Sequence, residues 1–336
     1  MLLNDFRGIF LTVYLSILFI IDVISLLIYI LLLYFIIKRL IKNDGTVGRE
    51  FYTIFVFNGI LDIIFLIEEY ISFKPAQLGL FKTFYVEIFP NTIFAGACYT
   101  YSLCQYMFIA LSSLTVTFNR YYCIKYPLNY KFLWRSWKLF ILATWPLIFA
   151  IPMFIVYHNA KVDYVEDESG RLSVVFLDAN VNNILWYTTI YIHLAVLVLN
   201  FVLNVLLIKQ CRQEVGKNAK RGKNFKLDIT MAKFALVYYI IFVIVFGTEV
   251  VMTLALNSEL YSLANDFLST IPLCQSLLVF SPPYTLLILS DDLRKQFLSS
   301  LKCINLNTYK NKNSDKSVAI KSRSIDKKVK KTSIFM

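Results

Sequence analysis

Residues 9–37 read IFLTVYLSILFIIDVISLLIYILLLYFII, with Asp22 as the only charge. A helix needs about 20 apolar residues to cross a bilayer core, so this run is long enough with room to tilt. It is also too long for a signal-peptide core, and no small-residue cleavage site follows it, so it reads as a retained signal anchor. Six further runs of the same kind follow, placing spans at about 9–37, 51–73, 90–119, 138–158, 184–208, 229–256 and 265–290. None alternates apolar and polar residues as a membrane-barrel strand would. Backbone polar groups in lipid must then be satisfied within helices. The expected fold is an all-α membrane protein, a seven-transmembrane helix bundle.

Composition points the same way. Of 336 residues, 58% are apolar and 17% charged, against about 45–50% and 25% in an ordinary soluble domain. A soluble enzyme and a disordered chain are both excluded. The formal charge of +12 sits at the ends of the apolar runs and in the tail, which implies an anionic inner leaflet and no nucleic acid. The connections 38–50, 119–138, 209–228 and 290–336 together hold 28 Lys and Arg, and the alternate set holds five. By the positive-inside rule the N-terminus is outside and the C-terminus cytoplasmic. Residues 1–8 are then an extracellular stub. Residues 291–303 are a short amphipathic helix on the membrane surface, with Leu293, Phe297 and Leu301 on one face. Residues 304–336 are a disordered basic tail.

The chemistry of an enzyme is missing. Two histidines, His158 and His193, have no ligand cluster at metal spacing, and no phosphate loop or nucleophile elbow occurs. No enzyme activity, cofactor or metal is expected. The six cysteines lie outside the outer loops, so the third helix and the second outer loop are not tied by a disulfide. Cys303 follows the amphipathic stretch and is a palmitoylation candidate.

Ionisable residues inside spans are costly and usually face the bundle interior. Asp62 lies near the middle of the second span, and Asp22 is at comparable depth in the first. Together they form a candidate polar knot between helices or a cation site, for sodium for example. Glu68, Gln105, His193 and Glu249 are candidates for an outward-facing ligand pocket. Glu68 and Glu69 stand about 9–10 Å beyond Asp62 at 1.5 Å per residue. Glu69 reads as the end of its helix.

Two motifs remain. The third span ends Thr117-Phe118-Asn119-Arg120-Tyr121-Tyr122-Cys123-Ile124-Lys125-Tyr126-Pro127, followed by Tyr130 and Trp134. The seventh ends Phe280-Ser281-Pro282-Pro283-Tyr284-Thr285-Leu286-Leu287, with Ser290, Leu293 and Arg294 beyond. The first resembles the Asp-Arg-Tyr region of G-protein-coupled receptors. More closely, it is similar to the Asn-Arg…Pro…Tyr…Trp stretch of nematode serpentine chemoreceptors, in the group containing the Srg and Srv classes. The second resembles the Pro-Tyr-Leu-Leu ending of the same receptors.

That resemblance implies a receptor for a small environmental molecule coupled to a heterotrimeric G protein. Coupling and switching then fall to Asn119, Arg120, Tyr121, Pro282, Pro283 and Tyr284. The basic surface Lys217, Lys220, Arg221, Lys223 and Lys226 faces the G protein and anionic lipid. The setting implied is the plasma membrane, in the cilium of a sensory neuron. With Asn119 in place of the usual Asp, no carboxylate is expected to restrain Arg120. The sixth span has no proline, which leaves Gly247 as its bending point. The alternative, a transporter or ligand-gated channel, lacks the internal repeat and paired broken helices common in transporters.

Overall fold

The computed structural model describes residues 2–42, 48–134, 137–166, 171–217, 223–260, 263 and 267–301. The chain runs through helices α1 (Leu2–Lys42), α2 (Arg49–Ser72) and the short α3 (Lys74–Gln77). A π turn (Phe84–Ile88) and a 3-10 turn (Phe89–Asn91) lead into α4 (Ile93–Lys125). Then come α5 (Pro127–Leu133), α6 (Trp137–Thr144), α7 (Leu147–Tyr157), strands β1 (Val162–Glu166) and β2 (Leu172–Phe176), α8 (Ala179–Lys217), α9 (Lys223–Asn257) and α10 (Ile271–Leu289). Helix α11, residues 291–301, belongs to a second compact unit and is considered by itself.

Six of these helices are long and apolar enough to cross a membrane, and α6 with α7 supplies the seventh as a span bent by 51°. The fold is an all-α seven-span bundle. The fourth span, read over about 138–158, is this broken pair. Pro146 has no N–H to donate, and its ring opposes the carbonyl four residues back, so the ladder cannot run through it. The bend is fastened to the bundle by Trp145, whose Nε1 donates to Thr115 Oγ1 at 2.6 Å.

Helix α4 is the central element, packed by α2, α7, α8 and α9. Its buried face carries small residues, among them Ala110, Ser112 and Ser113, which let neighbouring backbones approach. Asn200 Nδ2 of α8 donates to Ser113 Oγ at 2.7 Å across that contact. By contrast α1 and α8 expose rows of Ile, Leu and Val, the faces that lipid covers. Gly59 marks where α1 and α2 cross: a Cβ there would lie 2.8 Å from both Leu33 Cδ2 and Tyr29 OH.

The connection 158–183 forms a two-stranded antiparallel hairpin, with Val162 paired to Phe176 and Glu166 to Leu172. Val162, Tyr164, Leu172, Val174 and Phe176 alternate onto one buried face, against Tyr85, Phe89 and the start of α4. The connection itself contains no cysteine. Tyr99 packs its ring 4.6 Å from that of Phe176, and Thr100 Oγ1 donates to the Tyr157 carbonyl at 3.0 Å. Gly96 lets the Ala160 carbonyl sit where a Cβ would be.

Candidate functional site

At the end of α4 that leads into α5, Arg120 is buried and surrounded by neutral partners. Its Nε donates to Asn119 Oδ1 at 2.8 Å, and its terminal NH2 also reaches Asn119 Oδ1 and the Tyr130 hydroxyl at 3.1 Å. Its guanidinium carbon lies 4.9 Å from the centre of the Phe51 ring, a cation–π contact. Asn119 therefore holds Arg120 without a charge, in a place where the sequence supplies no carboxylate. Burial pushes the Tyr130 phenol up to about 12, so at neutral pH it stays a hydroxyl. Phe51 also meets Phe234 of α9 edge-on at 5.3 Å, and Cys123 Sγ lies 3.6 Å from Asp228 Oδ1. Arg120 thus sits under a closed junction of α2, α4 and α9. Tyr121 accepts from Lys125 at 2.7 Å and takes no part in that junction's hydrogen bonds.

Pro282 and Pro283 lie inside α10, and Tyr284 OH stands 2.8 Å from Ser25 Oγ of α1. Lys217, Lys220, Arg221, Lys223 and Lys226 have side chains outside the described residues, and so has Cys303.

The two intramembrane aspartates are not brought together. Asp62 accepts from Tyr29 OH at 3.0 Å, beside a cavity of about 20 Å³ that Asn58 and Tyr238 also line. Tyr29 follows Asp22 by two turns of α1, or about 10 Å. Asp22 is engaged instead by Lys74 Nζ at 2.7 Å, Tyr70 OH at 2.6 Å and Ser276 Oγ at 2.8 Å. All three donors converge on Oδ2, and Oδ1 has no partner. Lys74 is buried within this cluster, whereas the orientation count treats it as a loop charge. The signal for it in the sequence is its place one helical turn after Tyr70, over whose ring it lies at 4.6 Å.

Glu69 stands in the last turn of α2 and is 1% exposed, an interior residue. Ser102 of α4 lies 2.7 Å from Glu68 Oε2 and 2.6 Å from Glu69 Oε1, and Ser72 also donates to Glu68. Beneath the hairpin, Glu69, Ser102, Tyr106, Tyr164, Trp186 and Gln275 line a cavity of about 60 Å³. About 10–15 Å³ of such space holds one water, so this one accommodates a molecule of a few heavy atoms. Tyr164 OH closes one side by donating to the Ser72 carbonyl at 2.7 Å.

None of Glu68, Gln105, His193 and Glu249 is among the residues lining this cavity. His193 Nδ1 and Glu249 Oε2 are instead 2.7 Å apart, with His193 Nε2 3.3 Å from the Tyr106 carbonyl. Gln105 is buried, with its Nε2 unpartnered. Among the described residues, no three His, Cys, Asp or Glu side chains converge as a metal ion would require.

A search of the curated proteins finds none that matches the chain. Residues 18–303 match the family model described as serpentine type 7TM GPCR chemoreceptor Srv. That match runs from within the first membrane segment through the seventh, includes both motifs, and decides between the Srv and Srg classes. The chain belongs to the Srv family of serpentine seven-transmembrane chemoreceptors.

Proposed function

We propose that this chemoreceptor binds a small molecule in the cavity under the β1–β2 hairpin and activates a heterotrimeric G protein at the Arg120 end. The supporting observation is the neutral cradle of Asn119, Tyr130 and Phe51 around a buried Arg120, closed over by Phe234 of α9. A buried arginine cannot meet a partner protein, so activation requires α9 to withdraw. The bias of Lys and Arg places that end in the cytoplasm and the hairpin outside. A ligand shifts the equilibrium only by binding the open arrangement better than the closed one.

On this reading Lys217, Lys220, Arg221, Lys223 and Lys226 flank the exposed cleft and meet the G protein and the anionic leaflet, at about 1 kcal/mol per residue near the surface. The stretch 291–303 lies on the inner surface, 304–336 is a cytoplasmic tail, and Cys303 carries a lipid. The receptor resides in the plasma membrane of a sensory neuron's cilium.

Guanine-nucleotide exchange tests this. Membranes bearing wild type or Arg120→Ala at matched surface expression are compared across a G-protein panel, with and without a pool of small odorants. Exchange lost in the mutant is the expected result, and exchange unaltered by the mutation discards the role of Arg120. Spin labels on Lys226 and Tyr121 should separate on activation; a constant separation in a preparation that supports exchange refutes the movement of α9.

A further inference from the structure

The cavity under the hairpin holds buried acceptors that no donor meets. Two of its lining residues carry oxygens without a partner, Glu69 Oε2 and Gln275 Oε1, and both residues are almost fully buried. A carboxylate and an amide oxygen only accept hydrogen bonds. Leaving buried acceptors unmade is costly, so the complementary occupant must bring hydrogens.

It must also bring positive charge. The linked polar cluster at this end of α1, α2 and α10 contains three buried carboxyls, Asp22, Glu68 and Glu69, and one buried ammonium, Lys74. Lys74 is taken up by Asp22 at 2.7 Å and Ser276 at 3.0 Å. Ser102 has a single hydroxyl hydrogen, yet its oxygen lies 2.7 and 2.6 Å from oxygens of Glu68 and Glu69. The second contact is made only by a proton on one of the glutamates, and with one carboxyl so neutralised two carboxylates still face one ammonium. Five rings, those of Phe73, Tyr99, Tyr106, Tyr164 and Trp186, stand among the other wall residues beside aliphatic side chains, and ring faces attract a cation.

We propose that the cavity takes a small organic cation, a protonated amine, whose N–H groups are accepted by Glu69 and Gln275 and whose carbon skeleton rests on the aromatic wall. The proposal rests on reading this cavity as the ligand site. A carboxylate ligand of the same shape meets the Glu69 acid and is repelled. An alcohol brings one donor and no charge. Simple alkylamines, with ionisation like that of a lysine side chain, are almost wholly protonated at neutral pH.

The test uses the full chain in lipid nanodiscs and reads the saturable shift of Tm with n-butylamine, 1-butanol and butyrate as probes. The expected result is that n-butylamine binds about tenfold or more tightly than 1-butanol and that butyrate gives no shift. Glu69→Gln should weaken n-butylamine by about tenfold or more, one charge-assisted contact being worth at least that much. Gln275→Met, which keeps every acid in place, should weaken it by a smaller factor and serves if Glu69→Gln does not fold. Equal binding of alcohol and amine, amine binding unmoved by both substitutions, or no shift with the amine each overturns the proposal. In the last case a shared proton balances the glutamates. Nucleotide exchange on the same preparation separates the two claims. Exchange driven by neutral odorants keeps the receptor and discards the cation, whereas amine binding without any exchange keeps the site and discards the coupling.

Discussion

Two ion pairs of nearly equal length make a controlled comparison. Lys74 and Asp22 are 2.7 Å apart with side chains 5% and 0% exposed. Lys82 and Glu166 are 2.6 Å apart with side chains 44% and 52% exposed. Coulomb attraction at that distance differs only through the surroundings. Removing one partner of a buried pair costs about 3–5 kcal/mol, because the other charge stays buried. Asp22 would keep Tyr70 and Ser276 as donors, which places Lys74→Met at the low end, about 3 kcal/mol, or more than a hundredfold in the folding equilibrium. Lys82→Ala should cost about 0.5 kcal/mol or less, and that small cost should fade at high salt. Reversible unfolding in mixed detergent micelles measures both. The double variant Asp22→Asn with Lys74→Met should recover much of the loss, since neither charge is then stranded. A loss for Lys74→Met no larger than that for Lys82→Ala would refute the reasoning, as would a double variant whose cost is the sum of the singles.

Three other outcomes follow from particular contacts. Tyr164→Phe strands the Ser72 carbonyl and should cost about 1–2 kcal/mol, seen as faster hydrogen exchange across 162–176; unchanged exchange would mean the hairpin is held elsewhere. Gly59→Ala should destabilise by about 1–3 kcal/mol through overpacking against Leu33 and Tyr29. Gly247→Ala, with open space around its Cβ inside the continuous α9, should gain up to about 1 kcal/mol from helix propensity; thermal unfolding of the pair decides, and equal effects would contradict it. Finally, burial favours the neutral form of Tyr130. Its contribution should be complete below the ordinary phenol value of about 10 and lost as pH rises through about 12. A difference titration of wild type against Tyr130→Phe by tyrosinate absorbance should show no step near pH 10.

The spans were legible because lipid imposes a composition on each of them, whatever its neighbours. Side-chain partners were not, since they depend on which faces the helices turn to one another. Asp22 and Asp62 looked equivalent by depth along their apolar runs, yet Lys74 and Tyr29 claim them separately. Glu68 and Glu69 were visible as a pair, but only the rotation of α2 decides that Glu69 lines the cavity. His193 and Glu249 were each singled out, and their pairing across α8 and α9 needed the packing. Two further signals were present. Pro146 announces a fourth span that cannot be one straight helix, whereas Pro152 is carried inside α7. Val-Asp-Tyr-Val-Glu and Leu-Ser-Val-Val-Phe alternate around a short polar stretch, the pattern of a hairpin.

The hairpin is seated by a ring contact, a hydroxyl on a carbonyl, and the close approach that Gly96 permits. It contains no sulfur, and Cys98, Cys104, Cys123, Cys211 and Cys274 are all free thiols. The roof over the cavity is therefore indifferent to redox conditions. It needs no oxidative folding step, and it should assemble as well in a reducing cell-free extract or a bacterial cytoplasmic membrane as in a secretory compartment. Reductant in a purification buffer should leave its unfolding temperature unmoved.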